Sequence, residues 1–146
     1  MIYIAHRGNT KGINKNLENH PQYIHDAIKL GYDVEIDVRL VGNCWFLGHD
    51  SPDYEVGIDF LRNTKLWCHA KNIEAFDVML QNGIHCFWHE NDKYTLTSKG
   101  YIWAFPQSPL TERSICLLPE QTNQDYSNAF GVCSDIVEKL REKGSL

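Results

Sequence analysis

Seven short apolar runs are spaced along the chain and predict β-strands. They are IYIA (2–5), VEIDV (34–38), LWCHA (66–70), IHCFW (84–88), YIWAF (101–105), ICLL (115–118) and FGVC (130–133). The runs alternate with helical patterns, which is typical of βα units on a parallel sheet. The WFL run at 45–47 follows the second strand too closely for a crossover connection. It is therefore predicted to form a hairpin or a loop at the end of that strand.

Three segments carry apolar residues at helical spacing: 20–31, 72–83 and 135–144. The apolar stripes are Ile24, Ala27 and Ile28 in the first segment and Phe76, Met79 and Leu80 in the second. Asn72 is a suitable N-cap for the second helix, and Asp135 and Glu138 have the spacing of a capping box for the third. After the fourth strand the connections are short and leave room for one-turn helices at best.

These elements predict one α/β domain over residues 1–146, a small or incomplete (β/α) TIM-type barrel with about seven parallel strands. A full (β/α)₈ barrel has eight strands and about 250 residues. The prediction therefore requires either a heavily trimmed barrel or one missing or unrecognised strand.

The second strand, in DVEIDVRL, carries acidic residues at every other position. Because strand side chains alternate between two faces, Asp33, Glu35 and Asp37 share one face. Buried parallel strands are normally apolar on both faces, and neighbouring carboxylates repel each other. A divalent cation would compensate for that repulsion. The alternative is an exposed edge strand with a solvated acidic face.

Histidines and an arginine lie where strands end. His6 and Arg7 end the first strand, and His49 and Asp50 follow the WFL segment. In parallel α/β proteins, sites are built at the carboxyl ends of strands. Two histidines beside a metal-binding carboxylate pair suit general acid–base chemistry on a phosphodiester.

Composition and charge narrow the function classes. A net charge of −5 and a pI near 5.7 argue against a nucleic-acid-binding surface. No apolar run has membrane-spanning length, and the start of the chain lacks the pattern of a secretory signal. The five cysteines form no C-x-x-C pair, and four of them lie in apolar runs. These features predict a reduced, cytoplasmic protein without disulfides.

Four motif blocks resemble the glycerophosphodiester phosphodiesterases, which belong to the phosphatidylinositol-phospholipase-C-like superfamily. The blocks are HRG at 6–8, EN at 18–19, EID at 35–37 and HD at 49–50, in the family's order and spacing. Two further stretches are similar to the family: HAK at 69–71, where the family carries an acidic residue two positions before a lysine, and GVCSD at 131–135. The likeness covers roughly residues 1–71 well and becomes weaker after them.

The resemblance implies a role for each matching residue. His6 and His49 would be the acid–base pair, Arg7 would hold a phosphate oxygen, and Lys71 would stabilise the developing negative charge. The reaction implied is hydrolysis of a phosphodiester or its cyclisation by a neighbouring hydroxyl of the substrate.

The resemblance also implies a divalent cation, Mg²⁺ or Ca²⁺, bound by Glu35 and Asp37. His69 stands where the family has its third acidic ligand. If His69 binds the metal, preference shifts toward Mn²⁺, Zn²⁺ or Fe²⁺. Otherwise the metal is held weakly or water fills the place, or the protein has lost catalysis and only binds a phosphorylated ligand.

Substrate contacts are also expected from His89 and Trp103, which end the next two strands; the alternative is a loop cap and a core aromatic. The segment from Asp50 to the third predicted strand spans only residues 50–65, which leaves no room for a capping domain. We therefore expect an open site for a phosphodiester small molecule, a phosphorylated glycan or a lipid head group, with a homo-oligomer as one way to complete it.

Two other hypotheses compete with the phosphodiesterase. One is a non-catalytic module that binds a phosphorylated polyol or glycan on the same fold. The other is an unrelated α/β domain whose motifs agree by chance. A lyase acting on a phospholipid head group is a variant within the enzyme class.

Overall fold

The computed structural model describes residues 1–145, which form ten β-strands and four α-helices. The strands are β1 (Ile2–His6), β2 (Asp33–Val41), β3 (Cys44–Leu47), β4 (Tyr54–Val56), β5 (Leu66–Ala70), β6 (Cys86–Phe87), β7 (Tyr94–Leu96), β8 (Ile102–Ala104), β9 (Ser114–Leu117) and β10 (Gly131–Ser134). The helices are α1 (Pro21–Lys29), α2 (Ile58–Leu61), α3 (Ile73–Gln81) and α4 (Val137–Gly144). A short 3₁₀ helix at Pro119–Gln121 follows β9.

All ten strands belong to one mixed sheet. Parallel pairing joins seven of them in the order β6-β5-β2-β1-β10-β9-β8. Antiparallel pairing adds β3 to β2, β4 to β3 and β7 to β8. The hairpin expected from the WFL run is confirmed, because it forms β3 against the end of β2.

The predicted TIM-type barrel is wrong. The sheet is a curled half-barrel with antiparallel additions, and no pairing within residues 1–145 joins β6 to β7 or β8. A (β/α) barrel places a helix after every strand, whereas two loops, the β7–β8 hairpin and the 3₁₀ helix form the connections between β6 and β10. Each of the seven predicted runs contains a strand, but an apolar run does not specify its neighbours or whether the sheet closes.

The two faces of β2 separate the core from the acidic residues, as the alternation predicts. Val34, Ile36 and Val38 are fully buried and pack in one cluster with residues of α1 and α3. The opposite, concave face carries a second apolar cluster: Ile4, Trp67, Phe87, Trp103, Ile115 and Cys133. Glu35 and Asp37 lie on this concave face and are also buried.

The helices confirm some of the local predictions and contradict others. Asn72 caps α3 as expected, because its side chain accepts a hydrogen bond from the Ala75 amide at 3.1 Å. Leu80, predicted to be in the apolar stripe, is 47% exposed, so that assignment is wrong. The capping box at Asp135 is also wrong: α4 has Ile136 as its N-cap, without a side-chain cap. Within residues 1–145 no helix is both long and apolar enough to cross a membrane.

Candidate functional site

Strand register brings the predicted residues together at the carboxyl ends of β1, β2 and β5. His6 is paired with Glu35 across β1 and β2, and Asp37 is paired with His69 across β2 and β5. Side chains paired in a parallel sheet point to the same face. The two histidines and the two carboxylates therefore meet on the concave face.

Glu35, Asp37 and His69 form a compact group of potential metal ligands. One ligand atom from each lies within 4.8 Å of the other two. The Nδ1 atom of His69 is 3.5 Å from Oε2 of Glu35 and 3.5 Å from Oδ1 of Asp37. Oε1 of Glu35 and Oδ1 of Asp37 are buried without a hydrogen-bond partner. Buried polar atoms are normally satisfied, so these orphaned oxygens fit a divalent cation.

The electrostatics of Glu35 and Asp37 also favour a cation. Burial opposes ionisation of Glu35, but the contact with His69 and the positive charges of His6 and Arg7 outweigh it and lower its pKa to about 2. Burial and the adjacent Glu35 charge raise the pKa of Asp37. The protein groups alone therefore stabilise one negative charge readily, and the second carboxylate needs further positive charge.

Asp37 is held in place by Asn19 and Arg7. The Asn19 side chain donates a 2.9 Å hydrogen bond to Oδ2 of Asp37 and accepts one of 2.9 Å from the Asp37 amide. Nε of Arg7 lies 3.4 Å from the same Oδ2, and its Nη1 is 3.3 Å from Oε1 of Glu18. These contacts fix the carboxylate at the floor of the site.

His6 is oriented by a carboxylate that comes from the other end of the chain. Its Nδ1 contacts Oδ1 of Asp135 at 2.8 Å, and the Asn9 side chain donates to the same oxygen at 2.9 Å. Burial lowers the pKa of His6, but the hydrogen bond with Asp135 and the charge of Glu35 outweigh it, so the net shift is upward. This arrangement leaves Nε2 of His6 facing the site, 3.9 Å from Oε1 of Glu35.

His49 lies on the loop that leaves β3 and is more exposed than His6. Its Nδ1 contacts Oδ1 of Asp50 at 2.8 Å. The Arg39 guanidinium donates to the main-chain carbonyls of Gly48 and His49 and so anchors the loop to β2. Gly48 has a φ of +152°, and a Cβ there would lie 1.9 Å from the Ser51 carbonyl oxygen. Only glycine allows this approach.

A cavity of about 270 Å³ unites these groups. Eight of the nine predicted residues line it: His6, Arg7, Glu35, His49, His69, Lys71, His89 and Trp103. Asp37 is fully buried behind this wall. Phe105, Leu117 and Leu118 line an apolar side that was not predicted. The structure thus brings the nine residues to one place, while their chemical roles stay predictions.

Sequence reasoning missed three buried polar residues that support the site. Asp135 was assigned to a helix cap, yet its carboxylate contacts His6; the signal that could have found it is its place at the end of the GVCSD stretch. Asn19 belongs to the EN block, but nothing in that block shows that its amide would reach Asp37. Asn9, which contacts Asp135, had no signal in the pattern at all.

A larger cavity, of about 530 Å³, lies at the amino ends of the same strands. Its lining includes Asp33, Trp67 and His85, and none of the three potential metal ligands reaches it. Asp33 is already engaged by Trp67, whose Nε1 donates to it at 2.8 Å. The smaller cavity is therefore the candidate site because of the side chains that line it, although the other cavity has the larger volume.

No model of a known protein family matches the chain, and comparisons with curated proteins and with solved structures give no significant match.

Proposed function

We propose that this protein is a metal-dependent phosphodiester hydrolase or cyclase that uses two histidines for acid–base catalysis. The observation that carries the proposal is the convergence of His6, His49, Arg7 and Lys71 on one cavity beside a buried carboxylate pair. Carboxylates, histidines and cationic side chains that converge on one cavity are typical of functional sites. The order of the motif blocks in the sequence supports the same class.

The proposed roles follow from the needs of the reaction. Cleavage of a phosphodiester requires a base that takes a proton from the attacking hydroxyl or water and an acid that gives one to the leaving oxygen. His6 and His49 share these tasks. The hydrogen bond from His6 to Asp135 orients its ring, and Asp50 does the same for His49.

The charged residues act on the phosphoryl group. Arg7, half-buried, binds a non-bridging oxygen with its planar guanidinium, and Lys71 adds a second positive charge as negative charge develops. A divalent cation, when held by Glu35, Asp37 and His69, supplies Lewis-acid polarisation of a phosphoryl oxygen.

The shape of the cavity favours a compact substrate. About 270 Å³ accommodates a phosphate with a small alcohol. Trp103, Phe105 and Leu117 on one side provide an apolar surface for its carbon skeleton. We therefore propose a glycerophosphodiester-like or other polyol phosphodiester, free or as part of a glycan or a lipid head group. Action in the cytoplasm and assembly as a homo-oligomer remain predictions.

The test is turnover of bis(p-nitrophenyl) phosphate and of a panel of glycerophosphodiesters. Metal-stripped protein is assayed with Mg²⁺, Ca²⁺, Mn²⁺ and Zn²⁺ added back separately. Removal of an acid or base lowers turnover by about 10²- to 10⁴-fold, so His6→Ala and His49→Ala should each show such a loss. His25→Ala is the matched control, because His25 is exposed on α1, and it should retain full turnover.

The outcomes separate the hypotheses. Metal-dependent turnover that survives both His6→Ala and His49→Ala would refute the acid–base pair. Saturable binding of a phosphorylated polyol without turnover of any diester would support the non-catalytic module instead. Phosphorus NMR of the product separates a persistent cyclic phosphate from a monoester.

A further inference from the structure

We propose that Nδ1 of His69 is a metal ligand and that the site selects ions such as Zn²⁺ and Fe²⁺ over Ca²⁺ and Mg²⁺. This inference deepens the proposed function and rests on it for the presence of a metal in the working site. It concerns which ion binds, however, so it can be tested without turnover.

The hydrogen bonds of His69 indicate its tautomer. Its Nε2 lies 2.8 Å from the main-chain carbonyl oxygen of His89. A carbonyl oxygen only accepts, so this short contact requires a proton on Nε2. The main-chain amide of His89 is farther from the same nitrogen, at 3.3 Å. In the neutral imidazole the lone pair is therefore on Nδ1.

The Nδ1 atom of His69 faces both carboxylates of the site. Nδ1 of His69 is 3.5 Å from an oxygen of Glu35 and 3.5 Å from an oxygen of Asp37. Charge-assisted hydrogen bonds are about 2.7–2.9 Å long, so these separations are too long for one. Between two carboxylates, Nδ1 is favourable only when it carries a proton or binds a cation, and a metal ion bound there takes the place of that proton. Two atoms bound to one ion at about 2.1 Å in a tetrahedron are about 3.4 Å apart, so the spacing suits a shared ion.

Two neighbouring residues hold the His69 ring in place. Histidines that bind metals almost always donate their other ring N–H to a carbonyl or a carboxylate, which fixes the ring. The His89 carbonyl supplies that acceptor for His69. The ring is also stacked on Phe87, with centroids 5.0 Å apart and planes 15° from parallel. His69 is thus held in place, as a ligand residue should be.

The types of ligand atom determine which ion the site prefers. Ca²⁺ takes six to eight oxygen ligands, and Mg²⁺ also prefers oxygen. An imidazole nitrogen suits Zn²⁺ and Fe²⁺. Two carboxylates, one imidazole and open positions toward the cavity match catalytic sites with three protein ligands. The structure therefore assigns the site to the nitrogen-accepting ions.

The experiment measures ion affinities by titration calorimetry on metal-stripped protein, without substrate. Zn²⁺, Mn²⁺, Ca²⁺ and Mg²⁺ are titrated into the wild type, His69→Glu and the control His25→Ala. Loss of a residue that only supports a metal ligand weakens metal binding by about 10- to 100-fold. We therefore expect His69→Glu, which replaces the ligand itself, to weaken Zn²⁺ binding by at least about 10-fold and to strengthen Ca²⁺ binding, because an oxygen replaces a nitrogen. His25→Ala should match the wild type for every ion.

A spectroscopic readout on the wild-type protein makes the test independent of how a variant folds. Co²⁺ serves as a coloured probe, and ¹⁵N NMR of histidine-labelled protein with Zn²⁺ reports which His69 nitrogen is bound. A Zn²⁺-dependent change at Nδ1, with Nε2 still protonated, is expected. The inference is overturned if a folded His69→Glu variant keeps the Zn²⁺ affinity of the wild type, or if the Nδ1 signal does not change with Zn²⁺. It is also overturned if the wild type binds Ca²⁺ or Mg²⁺ more strongly than Zn²⁺, or binds no ion.

The two proposals fail separately. Tight Zn²⁺ binding through His69 without diester turnover would overturn the proposed function and leave this inference standing. Diester turnover that requires Ca²⁺ and survives in His69→Glu would overturn this inference and leave the proposed function standing.

Discussion

Asn19 offers a quantitative test of how the site is held together. Its side chain is buried and makes two hydrogen bonds of 2.9 Å, one to the Asp37 carboxylate and one from the Asp37 amide. Asn19 also has a φ of +65°, a conformation that asparagine tolerates better than most residues. Asn19→Ala removes both hydrogen bonds. It also leaves alanine, which has no side-chain amide, in this left-handed conformation.

The magnitude follows from the contacts that are lost. A hydrogen bond to a charged group contributes about 1.5–3 kcal/mol, and a buried donor left without a partner costs about 1–3 kcal/mol. The left-handed conformation adds about 1 kcal/mol for alanine. Because Arg7 still contacts Asp37 in the variant, adding these contributions in full would overestimate the loss of stability. We expect Asn19→Ala to lower the free energy of unfolding by about 3–5 kcal/mol.

The assay is urea unfolding followed by tryptophan fluorescence, with a chelator present so that metal binding does not contribute. Asn19→Gly loses the same hydrogen bonds without the backbone strain and should be about 1 kcal/mol more stable than Asn19→Ala. Asn43→Ala, at an exposed turn, is the control and should change stability by less than about 0.5 kcal/mol. If Asn19→Gly is within about 1 kcal/mol of the wild type, the two hydrogen bonds do not hold Asp37 as argued.

Two further predictions concern residues outside the site. Burial and the charge of Lys99 lower the pKa of His85 to about 4, below the usual value of about 6.5. The unfolded chain therefore binds more protons between these values, and stability should fall by about 1–3 kcal/mol as the pH drops from 6.5 to 4, allowing for partial exposure. Urea titrations at several pH values should show that His85→Gln removes this dependence; an equal dependence in the variant would contradict the assignment. Met79 lies in the core on the buried side of α3, so Met79→Ala should lower the free energy of unfolding by about 2–5 kcal/mol. Leu80→Ala, at the exposed neighbour, should lower it by less than about 0.5 kcal/mol. Similar losses for the two variants would contradict the packing.

Local features were predictable because they depend on a few consecutive residues. Alternation of apolar and polar side chains is a property of the strand itself. It placed Val34, Ile36 and Val38 on the packed face of β2 and the carboxylates on the other, as the structure confirms. The Asn72 cap depends on one side chain and an amide three residues away, so it too was visible in the sequence.

Features that join distant segments were not predictable in this way. The barrel was wrong because strand pairing depends on which edges meet, and β7 and β4 add to the sheet in antiparallel hairpins. Leu80 was placed in the core from its spacing alone, although the width of the buried face is set by what α3 packs against.

The sequence by itself determined the strand positions, the acidic face of β2 and the order of the motif blocks, because backbone sterics and side-chain alternation act over short distances. Only the tertiary structure decided that Asp135, 129 residues from His6, is its hydrogen-bond partner. It also decided that the His89 carbonyl oxygen lies 2.8 Å from Nε2 of His69. Hydrogen bonds of this kind depend on distances and directions between segments that meet only after the sheet has curled.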